Sequence, residues 1–189
     1  MLQCSSTIYS RTLLNPGSVF FINNVWGVRV IRKEQVLEAY QEYEIYLASL
    51  NTAVKTEEDA HTPISQGKWS IAEIVLHLAE WDRFIREQRL PLLKAGAQVA
   101  PFPDVDAFNA AAVAPAKQMA FPEVLARAQK ERALLAKDIE ELEEGRWNAA
   151  FKVGSRETTV ASYAAGFLQH DAHHRSQIDG FLHKKSSIL

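Results

Sequence analysis

The sequence predicts an all-α fold: a four-helix bundle with one long crossover connection, preceded by an N-terminal extended arm or short hairpin. Three observations carry this. Four stretches repeat apolar side chains at three- and four-residue spacing, the period of a helix. Capping and breaking residues bracket those stretches. Between the second and third, residues 94–120 carry Ala, Gly and three prolines with weak periodicity, which reads as a long connection.

Residues 1–32 form the arm. "TIYS" and "SVFFINNVWGVRVI" are rich in β-branched and aromatic residues, and "NPGS" between them is a turn signal. Residues 33–189 form the bundle domain. Its first helix is "KEQVLEAYQEYEIYLASLN", with Val36, Leu37, Tyr40, Tyr43, Leu47 and Leu50 near one stripe and Asn51 as a stop. A polar, acidic linker follows, "TAVKTEEDAHTPISQGK". The second helix, "WSIAEIVLHLAEWDRFIREQRLPLL", opens on Ser70 with Glu73 three residues on, a capping box, and Pro91 kinks or ends it.

Within the crossover a short helix is expected around Val105–Ala112. The third helix, "FPEVLARAQKERALLAKDIEELEEG", has Pro122 in its first turn and Gly145 at its end. "RWNAAFKVGSRETTVASY" alternates briefly around Gly154 and Ser155 and suits a hairpin between helices. The fourth helix runs from about Val160 to His183.

Composition narrows the function. The chain has 189 residues, enough for one domain with a core of its own. Its 21 basic and 23 acidic side chains are interspersed, so no nucleic-acid or membrane surface is expected. A single cysteine, Cys4, excludes an internal disulfide and favours a reducing compartment. No apolar run approaches the roughly 20 residues of a membrane span. The N-terminus does not read as a signal peptide, because Asn23 and Asn24 break its apolar piece. The expected location is cytoplasmic.

Three of the six histidines crowd into "HDAHHRSQID" at residues 170–179. A helix advances about 100° per residue, so His170 and His174, four apart, are neighbours on one face. They continue the stripe of Tyr163, Phe167, Ile178 and Phe181, which turns both inward. His173 falls about 100° away, on the flank. Two imidazoles at this spacing can share a divalent metal, but a stable site needs a third ligand from another helix. His77 qualifies, since it shares a stripe with Ile74, Trp81 and Phe84. An unpaired imidazole there would cost roughly 1–3 kcal/mol, and a metal would satisfy it. His61, in the linker, and His183, near the tail, are expected to be solvated.

"KWSIAEIVLHLAEWDRF" followed by "HDAHHRSQI" resembles the DinB-like superfamily of four-helix metalloproteins. Trp69, Ser70, His77, His170, His174, Gln177 and Ile178 carry the resemblance, which covers about residues 33–183. It implies a mononuclear site with His77, His170 and His174 as ligands and one or more open positions. It implies zinc or nickel as the metal, a homodimer, and two enzyme classes. Characterised relatives use bacillithiol or mycothiol, or are metal-dependent hydrolases. The spacing alone does not choose between zinc, nickel and iron.

The expected function is therefore metal-dependent transfer of a low-molecular-weight thiol, or hydrolysis of a small-molecule substrate. The alternative is a non-catalytic metal-binding or stress-related protein. Asp171 is the candidate catalytic base, although its side chain starts about 100° from that of His170. It can equally hydrogen-bond a ligand or pair with Arg175. Gln177 is a candidate to orient a ligand imidazole, and His173 to donate to one or shuttle protons. Trp69, Trp81, Tyr163 and Phe167 are candidates to line a pocket beside the metal, and each also suits the core.

Overall fold

A computed structural model describes residues 31–187. The expected arm or hairpin lies outside the described residues, apart from Ile31 and Arg32. Among the described residues four long helices dominate: α1 (Lys33–Ala53), α3 (Ile71–Phe84), α5 (Phe121–Glu140) and α7 (Val160–Ser186). Three shorter ones punctuate the connections: α2 (Glu57–His61), α4 (Val105–Val113) and α6 (Glu144–Trp147). A small sheet of β1 (Gln98–Val99), β2 (Ala150–Val153) and β3 (Arg156–Thr159) accompanies them. The four-helix bundle and the long crossover between α3 and α5 are as the periodicity predicts.

α1 buries Val36, Tyr40, Tyr43, Leu47 and Leu50 as expected, and also Tyr46, while Leu37 stays half-buried. Tyr46 goes inward because its hydroxyl finds a partner, donating to Asp179 Oδ1 of α7 at 2.8 Å. The linker is less open than its polarity suggests. Glu57–His61 forms α2, capped where the Thr56 hydroxyl accepts from Asp59 N, and Ala60 is buried beneath it. Glu57 explains the helix: its carboxylate accepts from Phe121 N at the start of α5.

α3 starts at the predicted capping box. Ser70 Oγ accepts from Glu73 N at 3.2 Å, and Ser70 N donates to Glu73 Oε2 at 2.8 Å. Such caps contribute about 1 kcal/mol and set where the helix begins. Past Phe84 the chain continues as a π-helical turn, Ile85–Arg89, then a 3₁₀ turn around Pro91. The wider turn brings both Ile85 and Arg89 inward. Arg89 donates from Nε to the Tyr163 hydroxyl at 3.1 Å and from Nη2 to Ala100 O at 2.9 Å.

α5 ends at Glu140, earlier than Gly145 suggests; Gly145 lies inside α6. The turn follows from burying Leu142 and Trp147 against the bundle. Lys33 Nζ satisfies the carbonyls left at that end, donating to Glu140 O and Leu142 O.

The expected hairpin is present. β2 and β3 pair antiparallel from Ala150↔Thr159 to Val153↔Arg156, across Gly154 and Ser155. Gly154 has φ of +61°, as the first position of such tight hairpin turns requires. The third strand is additional: β1, from the crossover, pairs parallel to β2 with Gln98 opposite Lys152. No helix among the described residues is long and apolar enough to cross a membrane.

Among the described residues the core forms two apolar clusters. One contains Trp69, Ile74, Leu78 and Ile178; the other contains Trp81, Phe84, Tyr163 and Phe167. The His77 ring of α3 lies between Trp69 of the first cluster and Trp81 of the second. On α7, His170 and His174 fall between Phe167 and Ile178 in the sequence.

Candidate metal centre

His77, His170 and His174 converge in this interior, from α3 and α7. They are 0%, 6% and 2% exposed. His170 Nε2 lies 3.1 Å from Nε2 of His77 and 3.1 Å from Nε2 of His174. One nitrogen from each ring falls within 4.8 Å of the others, forming a compact donor set. Burial holds all three imidazoles neutral: His77 and His170 lie well below the usual histidine range, and His174 is pushed down to about 4. Neighbouring imidazoles push in the same direction.

The donor set fits a cation. His174 Nδ1 donates to Gln177 Oε1 at 2.8 Å, so neutral His174 presents a lone pair at Nε2. A proton on His170 Nε2 can be shared well with only one of its two close neighbours. In any neutral arrangement, one contact then sets lone pairs against each other or splits a proton poorly. A positive ion among the nitrogens removes that conflict. Two nitrogens bound tetrahedrally at about 2.0–2.1 Å would stand about 3.3 Å apart, close to the observed spacing. His77 Nδ1 is buried without a hydrogen-bond partner, so Nε2, 3.1 Å from His170 Nε2, is the nitrogen that faces the other imidazoles.

Gln177 thus sits where it sets the tautomer of His174. His173 is half-buried, its ring 5.2 Å from that of His174, and burial with nearby Lys68 lowers its pKa. His61 is partly buried and pairs with Glu57 at 3.2 Å, while His183 is exposed.

Asp171 is turned elsewhere. Its Oδ2 accepts from Arg132 Nη1 at 2.7 Å, and Arg132 Nε lies 2.8 Å from Asp82 Oδ2. Arg132 is 1% exposed and lies over the rings of Tyr40 and Tyr43, at 4.4 and 4.5 Å. Burial raises both carboxyl groups, while the Arg132 guanidinium opposes the rise. The partner of Asp171 is therefore Arg132 of α5, not Arg175, which lies over Tyr46. The network ties α3 and α7, the helices bearing the histidines, to α5.

The four aromatic candidates separate. The Trp69 ring is 4.7 Å from that of His77 and 6.2 Å from that of His174. Trp69 also lines a cavity of about 260 Å³ with Glu73, Asp106, Asn109, Val113 and Lys117. Trp81 reaches the cavity indirectly, donating from Nε1 to Asn109 Oδ1 at 3.0 Å. Tyr163 and Phe167 do not line it; they pack with Phe102, Phe151 and Trp81. Asn109 and Arg132 were invisible in the sequence. Asn109 sits in the weakly periodic crossover, and Arg132 is one of many charges on a helix whose partners are distant in sequence.

A family model described as the DinB superfamily matches residues 35–178. Among solved structures, YfiT from Bacillus subtilis is similar, with TM-score 0.68 at 20% identity, covering 93% of this chain and 98% of that one. That protein is described as a probable metal-dependent hydrolase with an unusual four-helix bundle topology. At this identity the likeness shows the fold. Among curated proteins none matches the chain.

Proposed function

The chain belongs to the DinB superfamily, and from that premise we propose that it is a metal-dependent hydrolase of a small molecule. One divalent ion would be held by His77, His170 and His174. The observation that carries the reading is the meeting of three neutral imidazole nitrogens from two helices in a water-poor interior. The description of the similar YfiT structure agrees with it. When bound, such an ion supplies a Lewis acid and activates water or a thiol at neutral pH. Three imidazole nitrogens suit zinc, nickel or iron, and the family resemblance favours zinc or nickel.

The chain's own residues prepare that chemistry. Gln177 holds the His174 proton at Nδ1 and leaves Nε2 to the ion. Trp69 and Trp81 flank His77 and keep bulk water from its ring. Asp171 is engaged by Arg132, so its proposed role is to fix α7 rather than to accept a substrate proton. Thiol transfer is the alternative chemistry for the same triad, with a low-molecular-weight thiol as co-substrate.

Metal analysis followed by parallel assays tests the reading. Purified protein should hold about one metal per chain, and His77→Ala should hold none. Hydrolysis of an ester and amide panel is expected from the loaded protein. Activity only with bacillithiol, mycothiol or glutathione and an electrophile would replace hydrolysis with thiol transfer. Full metal occupancy in His77→Ala would overturn the triad.

A further inference from the structure

The cavity beside Trp69 contains a polar group whose orientation is determined and whose donors are unused. Asn109 is 5% exposed and lines the cavity. The Trp81 indole N–H can only donate, so the Asn109 atom facing it at 3.0 Å is the carbonyl oxygen. The amide Nδ2 is left with two N–H groups, and no described residue accepts from it. Those N–H groups are not sealed in the core; Asn109 lines the cavity, where an acceptor from outside the chain can reach them.

The remaining lining limits what that acceptor is. Trp69 and Val113 present apolar surface. Glu73 and Asp106 set two carboxylates against the single ammonium of Lys117, which disfavours an anionic ligand. The volume of about 260 Å³ lies below the roughly 300–1,000 Å³ of drug-sized sites and suits a small molecule. Trp69 is common to the cavity and the histidine triad, which links the two.

We propose that this cavity is the substrate subsite and that Asn109 selects a small neutral carbonyl compound, an amide or ester, over a carboxylate. The substrate role rests on the hydrolase reading above; the binding preference does not. Asn109 donates to the ligand carbonyl, the apolar body of the ligand lies against Trp69, and Trp81 holds the Asn109 amide in register.

The test is calorimetric titration of acetanilide and benzoate into chelator-treated and metal-loaded protein. Both forms are expected to bind acetanilide about tenfold or more tightly than benzoate. Asn109→Asp keeps the acceptor for Trp81 but loses the donor, so acetanilide should bind about tenfold or more weakly. Ala110→Phe adds bulk from an exposed lining position and should abolish binding without disturbing the core. Unchanged acetanilide affinity in Asn109→Asp, equal affinity for benzoate, or no saturable binding by the wild type would overturn the proposal. Binding with these preferences, without cleavage of any ester or amide by the loaded protein, supports the subsite and overturns only the hydrolase reading.

Discussion

Gln177 Oε1 accepts a hydrogen bond from His174 Nδ1 at 2.8 Å, which turns the other nitrogen of that ring toward His170 and His77. The two residues are three apart on α7, so the bond is local, yet it decides which nitrogen faces the core. Gln177→Leu should weaken metal binding roughly 10- to 100-fold, the usual effect of losing such a partner. Gln177→Glu keeps the acceptor and should stay near wild type. Competition with a chromophoric chelator measures both, and equal affinities for Leu and wild type would remove Gln177 from the site.

His77 trades stability for binding. Its Nδ1 is buried without a partner, which carries a cost in the metal-free protein. His77→Leu should stabilise the metal-free fold by about 1 kcal/mol while eliminating metal binding. Urea unfolding in the presence of a chelator reads the first effect and elemental analysis the second. A less stable metal-free variant would show that the imidazole is satisfied as it stands.

Arg132 neutralises two carboxylates inside the bundle. Arg132→Met leaves Asp82 and Asp171 without their cation and should cost about 3–5 kcal/mol. Replacing all three with apolar residues should recover much of that loss, because no ionised group then remains stranded. Denaturant midpoints at constant m-value decide it. A triple variant as unstable as the single one would contradict this account.

Metal-free protein should lose stability as it is acidified through the histidine range. Burial holds the folded-state pKa of His174 at about 4, below the about 6.5 of an unfolded histidine. The unfolded chain therefore takes up this proton first. The contribution is fully present above pH about 6.5 and is lost as pH falls toward 4. Between pH 7 and 4, His174→Leu should lose about 3 kcal/mol less stability than wild type. Unfolding curves at the two pH values, with chelator present, provide the comparison. Equal losses would mean that His174 is not buried neutral.

Local signals made much of the fold legible. The Ser70–Glu73 box, Pro122 and the Gly154 turn each act over four residues or fewer, so sequence spacing suffices to place them. Signals failed where a distant partner decided the outcome. α2 forms in a linker that reads as polar because Glu57 binds the start of α5. α5 stops short of Gly145 because Leu142 and Trp147 turn into the core. β1 exists only by pairing with a strand more than fifty residues away.

The same division runs through the candidate site. Helical periodicity by itself turned His77, His170 and His174 inward, because a 3.6-residue period leaves little choice of face once the apolar neighbours are known. Whether three inward imidazoles meet depends on how α3 and α7 lie against each other, and the tertiary structure alone decided this. It also decided that Asp171 faces Arg132, that Tyr163 and Phe167 pack away from the cavity, and that Asn109 stands beside Trp81. A one-dimensional period fixes a side chain's direction about its own helix axis. The partner it meets depends on packing between elements, which no single stretch of sequence encodes.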